Sequence, residues 1–397
     1  MAGRRRASGH GAVVVCLLLV SLVACGGRPT AADTARADVQ HVLDRRAAAV
    51  LDRDSAAIAE TGAAGWFQDV SAVPLATWSY KVTGVHRDGS TATADAELRY
   101  QVQGYDRAPV TAARVLDLSL DASGQWYVVS EKPATKASQQ LWDQGEVTVV
   151  RGKRSLVLGV GQSGEKLHTF AELADRAVPA VSDAWGTAWS RHVVVLVPKS
   201  LEGMAGLLGS PASSYRGIAA VTTGETGAPA QAPADRIIVN PDAYGLLGTL
   251  GRQVVLTHET THVATRADTS AATPLWLSEG YADWVGYRGT GRTPAEAAPE
   301  LGEAVAERRV PAALPSDADF GFSGTATGLA LSYEGGWMAC RMIADRWGEA
   351  KLGEFYRAVG AHGKRPGAVE GALAKVLDTD LADFTAEWRQ YLRTQLG

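Results

Sequence analysis

Cysteine is nearly absent from this chain. Three stand in 397 residues, and Cys16 and Cys25 lie close to the N-terminus, leaving Cys340 alone in the remainder. No intramolecular disulfide framework can be built from one cysteine. Cys340 sits among Trp337, Met338, Met342 and Trp347, surroundings that suit a buried, inert thiol and not a nucleophile. A strong charge imbalance is also missing. The formal net charge is −4 and no Lys/Arg cluster follows the N-terminal residues, which argues against nucleic acid as a partner. Low-complexity tracts are absent, and 46% hydrophobic with 21% charged residues is the composition of a globular protein. The longest apolar run, residues 11–23, falls short of the roughly 20 residues a membrane-spanning helix needs. At 397 residues the chain exceeds one ordinary core, so two or three domains are expected.

That apolar run follows Arg4-Arg5-Arg6 and precedes small residues, the pattern of a signal peptide over residues 1–24. The segment ends Leu22-Val23-Ala24-Cys25-Gly26, which resembles a bacterial lipobox. The resemblance implies cleavage before Cys25 and lipid attached to its thiol. It also implies a membrane partner through that anchor, on the extracytoplasmic face of the bacterial cell membrane. Residues 25–33 read as a short tether.

Residues 34–135 read as a small α+β unit. Val39, Val42, Leu43, Val50, Leu51 and Ile58 recur at helical spacing across 34–60. The period then changes to two, in Trp78-x-Tyr80-x-Val82 and in Ala92, Ala94, Ala96, Leu98, Tyr100 and Val102. Turn residues Asp88-Gly89 and Ser123-Gly124 separate the runs, so two helices followed by a four-stranded antiparallel meander are expected. The pattern faintly resembles an NTF2-like fold. His41 and His86 have no sequence partners there.

A second unit, residues 145–397, begins with a strand pair near 147–150 and 156–160. A helix follows over 170–189, then the wholly apolar strand Val193-Val194-Val195-Leu196-Val197. A Gly/Ala/Pro/Ser-rich stretch, 209–234, carries a short strand near 218–222, and Arg236-Ile237-Ile238-Val239-Asn240 is another strand. From 335 onward the chain is helical, with His362 in an exposed turn.

Between the sheet and this tail stands His258-Glu259-Thr260-Thr261-His262. On a helix, two histidines four apart point the same way and can grip one Zn²⁺, with Glu259 within reach of a water on the same ion. Sixteen residues separate His262 from Glu279, which lies inside Trp276-Leu277-Ser278-Glu279-Gly280-Tyr281-Ala282-Asp283-Trp284. That gap holds a loop and a second helix crossing the first. Glu279 and Asp283 then share a face, the first as a third ligand and the second accepting the free N–H of a ligand histidine.

H-E-x-x-H followed by W-L-x-E-G-x-A-x-W resembles the gluzincin metallopeptidases, and most closely their peptidase MA-like domains. The resemblance spans roughly residues 145–396. It implies zinc held by His258, His262 and Glu279, with Glu259 as general base, and a peptide or protein substrate. It also points to a tyrosine that steadies the oxyanion. Tyr333 fits best, at the opening of the helix that runs to Trp347, with Tyr281 and Tyr287 as competitors. No G-x-M-E-N segment precedes the zinc helix, so endopeptidase activity is favoured over N-terminal trimming. The strand at 236–240 is either the edge on which a substrate lies or an interior strand. The alternative to an enzyme is a surface binding lipoprotein whose zinc only stabilises the fold. A third reading is hydrolysis of a non-peptide amide.

Overall fold

The computed structural model describes residues 31–224, 232–321 and 325–397. The signal peptide and Cys25 lie outside the described residues. Helix α1, Ala31–Asp52, begins inside the stretch read as a tether. Among the described residues no helix is long and apolar enough to cross a membrane.

The first unit is α1, then α2 (Ser55–Glu60), the single turn α3 (Phe67–Val70), and strands β1 (Leu75–Asp88), β2 (Thr91–Val102), β3 (Val110–Leu120) and β4 (Trp126–Pro133). The strands form an antiparallel meander in the order β1-β2-β3-β4. Alternation decides its faces: Ala92, Ala94, Ala96, Leu98, Tyr100 and Val102 all point inward, against Val39, Val42, Leu43 and Val50 of α1. Gly89 and Gly124 close the two tight turns at φ of 61° and 80°, which a side chain would strain.

The second sheet has the order β5-β6-β7-β9-β8. Its strands are β5 (Val147–Arg151), β6 (Ser155–Val160), β7 (Val193–Val197), β8 (Ala220–Thr222) and β9 (Arg236–Val239). Strands β6, β7 and β9 run parallel; β5 and β8 are antiparallel to their neighbours. Both faces are covered, which is why β7 is apolar throughout. Val193, Val195 and Val197 face helix α4 (Gly164–Trp185). Val194 and Leu196 face the first unit, with which they share one continuous core.

That junction is built, not merely apposed. A 3-10 turn, Leu141–Gln144, buries Trp142 against Tyr100 and Trp78, with ring centroids 4.9 and 5.4 Å away. Arg114 makes a two-pronged bond to Asp143 at 2.8 and 2.9 Å. Arg236 of β9 reaches Asp106 in the first unit at 2.8 Å.

Helices α5 (Leu201–Leu208) and α6 (Pro241–Gly245) flank the sheet. They are followed by α7 (Thr249–Thr265) and α8 (Leu275–Tyr287), then the short α9 (Pro294–Ala297) and α10 (Pro299–Ala306). The tail is α11 (Ala326–Trp347), α12 (Glu349–Gly360), α13 (Ala368–Ala372) and α14 (Leu381–Leu396). Trp276, Trp337, Phe355, Phe384 and Trp388 form the core of this helical half. The whole is an α+β fold, with helices segregated toward the C-terminus.

Candidate metal centre

Helix α7 is divided by what it touches. Leu256, with Val255 and Val263, packs on the second sheet, which turns His258 and His262 toward α8. Their Nε2 atoms are 3.0 Å apart. Glu279 on α8 places Oε2 at 3.2 Å from Nε2 of His258 and 3.4 Å from Nε2 of His262. A tetrahedral ion with bonds of ~2.0–2.1 Å separates its ligand atoms by roughly 3.3–3.4 Å. The two separations from Glu279 are near that spacing, and the two imidazole nitrogens, at 3.0 Å, would move slightly apart to hold such an ion.

Charge agrees with geometry. Burial works against a charged imidazole at His258, but Asp283, hydrogen-bonded to it, and then Glu279 and Glu259 outweigh that and hold its pKa well above the ordinary value. Burial likewise works against an ionised Glu279, yet the facing His262 and His258 win and carry it below the usual carboxylate range. The cluster is built around positive charge, and a bound cation would supply it.

Asp283 lies one turn beyond Glu279 and meets Nδ1 of His258 at 2.8 Å. Glu259 points elsewhere. It is nearly buried, and Thr222 of β8 donates a hydrogen bond to its Oε2 at 2.6 Å. His258, Glu259, Asp283 and Tyr333 line a 230 Å³ cavity together with residues 217–220. A 550 Å³ cavity adjoins it, sharing Asp283 and Tyr333 and reaching Glu334 and Arg216.

Tyr333 lies with its ring centroid 6.5 Å from that of His258. Burial, followed by the nearby Glu279, Asp283 and Glu259, pushes its pKa far above that of a free phenol, so it remains a donor. It does not open its helix: α11 begins at Ala326, capped by Thr325, two turns earlier. Tyr281 is fully buried between Trp185 and Tyr356 and bonds the Ala184 carbonyl at 3.3 Å, away from the cavity. Tyr287 packs on Trp337 and borders the larger cavity. His41, His86 and His362 are exposed and stand outside the site, and Cys340 is buried in the helical core.

Of the two readings of the strand at 236–240, the interior one holds. Strand β9 lies between β7 and β8, and β8 is the edge beside the cavity. Thr222 was not singled out from the sequence. It stands in a small-residue stretch with no motif, and only the fold brings it to Glu259, 37 residues away.

No family model matches the chain, and no curated protein matches it. Among solved structures, native yeast LTA4 hydrolase is similar to it over 75% of this chain, at 11% identity and a TM-score of 0.38. The chain spans half the length of that structure. A likeness so distant carries no argument, and the functional reading rests on the site.

Proposed function

We propose that this chain is a zinc-dependent metallopeptidase that cuts within peptide chains, with Glu259 as general base. The observation that carries the reading is the convergence of His258, His262 and Glu279, whose ligand atoms lie within 4.8 Å of one another, beside a cavity that also holds Glu259 and Tyr333. An ion that only stabilises a fold is usually enclosed by four protein ligands. Here the described residues supply three, and the cavity lies beside them.

When bound, Zn²⁺ would act as a Lewis acid and make a water acidic enough to be deprotonated near neutral pH. The chain's own residues do the rest. Asp283 holds His258 in the tautomer that presents Nε2 to the ion. Glu259 takes one proton from the attacking water, whose oxygen bonds to the carbonyl carbon of the scissile amide. The Tyr333 hydroxyl donates to the oxygen on which negative charge then develops. Glu259 returns its proton to the amide nitrogen as the C–N bond breaks, giving an amine and a carboxylic acid that keeps the second proton of the water.

The lipobox-like residues at Cys25 support a lipid-anchored protein at the extracytoplasmic face of the membrane. The missing G-x-M-E-N supports cleavage within chains over trimming of free N-termini.

The test is zinc content and cleavage of a proteome-derived peptide library by the wild type and Glu259→Gln. The wild type is expected to carry one zinc and to cleave, and the variant to keep its zinc and lose turnover. A wild type that binds zinc tightly but cleaves nothing would support the zinc-stabilised binding protein instead.

A further inference from the structure

Glu259 is steadied from the sheet and not from the helices. Thr222, the last residue of β8, places Oγ1 at 2.6 Å from Oε2 of Glu259 and 3.1 Å from its backbone carbonyl. A hydroxyl has one proton to give, and the shorter distance marks the Glu259 side-chain oxygen as its acceptor. The pleat explains why this residue arrives there. Ala220 packs on the α7 face of the sheet, Val221 on the opposite face, and Thr222 returns to the α7 side.

The contact is also braced. Thr222 pairs with Ile237 and Val221 with Ile238, which fixes the strand's register on β9. From the end of α7, Arg266 meets Asp235 at 3.0 Å and the Thr223 carbonyl at 3.4 Å. Strand and helix are therefore also joined beyond the Thr222–Glu259 bond.

We propose that Thr222 is a positioning residue for the general base. Because Oε2 is engaged by the Thr222 hydroxyl, Oε1 is the oxygen left to receive a proton. The bond also stops the carboxylate from rotating its two oxygens in and out of place. A proton taken onto Oε1 then stays on the oxygen that must return it. This rests on the reading of Glu259 as general base, and the test separates the two.

Thr222→Val, Thr222→Ala, Thr222→Ser and Glu259→Gln are assayed on the same peptide library, with turnover counted per bound zinc. Valine is isosteric and suits a strand, but it removes the hydroxyl; serine keeps the hydroxyl and packs less well. Positioning predicts that kcat falls by about tenfold to a hundredfold in the valine and alanine variants. KM and zinc content should hold steady in those variants, and serine should stay close to wild type. A packing role predicts the reverse order, with valine active and serine impaired, and that result overturns the inference. Wild-type turnover in the valine variant with a dead Glu259→Gln also overturns it, while leaving the peptidase reading intact. Full turnover in Glu259→Gln removes both.

Discussion

Asp283 Oδ1 and His258 Nδ1 stand 2.8 Å apart, and the pair sets the direction of the whole cluster. The carboxylate accepts a hydrogen bond from Nδ1–H of the imidazole, which leaves Nε2 as the ligand atom, facing His262 and Glu279. One helix supplies both the ligand Glu279 and this support, because the two are separated by a single turn. Asp283→Asn should preserve the fold but lower zinc affinity by about ten- to a hundredfold, since an amide can donate at that position and turn the tautomer around. Competition against a chelator of known affinity, with circular dichroism as the control for folding, reads this directly. Unchanged affinity would mean that the ring is oriented by its packing alone.

Helices α8 and α11 meet where neither has a side chain. A Cβ on Gly336 would stand 2.6 Å from the Trp276 carbonyl oxygen, and one on Gly280 would stand 2.3 Å from that of Gly336. Each glycine inside a helix costs about 1 kcal/mol relative to alanine, so their presence here reflects close backbone approach. Gly280 follows the ligand Glu279 directly. Gly336→Ala should therefore destabilise the protein by about 1–3 kcal/mol and weaken zinc binding by moving α8. Gly302, with nothing within 4 Å of its would-be Cβ, is the control. Gly302→Ala should be neutral or stabilising by up to about 1 kcal/mol. Urea denaturation and zinc titration of both variants test the contrast.

How much of this was legible in the sequence follows from the range of the interactions. His258, His262, Glu279 and Asp283 were readable because one helical turn is enough to say which residues share a face. Tyr333 was readable as a candidate, but its place in α11 was not. Ala326-Thr327-Gly328-Leu329-Ala330-Leu331 shows no helical period, so the start at Ala326 is marked locally only by its cap, Thr325, a residue type that recurs at Thr327. Strand β8 is three residues long, and its standing as the sheet edge depends on β9 pairing with β7 instead. Strand order is fixed by contacts far apart in sequence, which is why residues 236–240 read equally well as edge or interior. Thr222 was illegible for the same reason. The continuous core between the two units was hidden too, because Trp142 and Leu196 look like ordinary core residues of separate domains.

Glu334 gives the protein a pH dependence separate from that of the metal ligands. It follows Tyr333 on α11, is 9% exposed, and accepts N–H bonds from Leu301 at 2.6 Å and Glu300 at 3.4 Å at the start of α10. Burial, followed by the neighbouring Glu300 carboxyl, raises its pKa to about 8, against the pull of the two N–H groups. A carboxyl with a raised folded pKa binds its proton more tightly in the native state than in the unfolded chain, where the value is about 4.3. The resulting stabilisation is complete below about pH 4.3 and is lost as the pH climbs to about 8. Glu334→Gln keeps the neutral shape and cannot ionise. Near pH 5 the variant should melt at or slightly below the wild-type temperature, because the amide cannot reproduce every bond of the acid. Toward pH 8.5 it should melt above the wild type, with the gap opening steadily between. Titration of the metal ligands is common to both proteins and cancels in the difference, so paired melting curves from pH 5 to 9 isolate Glu334. A difference that stays flat across that range would mean that Glu334 is already ionised at pH 5 and that the α10 N–H groups outweigh its burial.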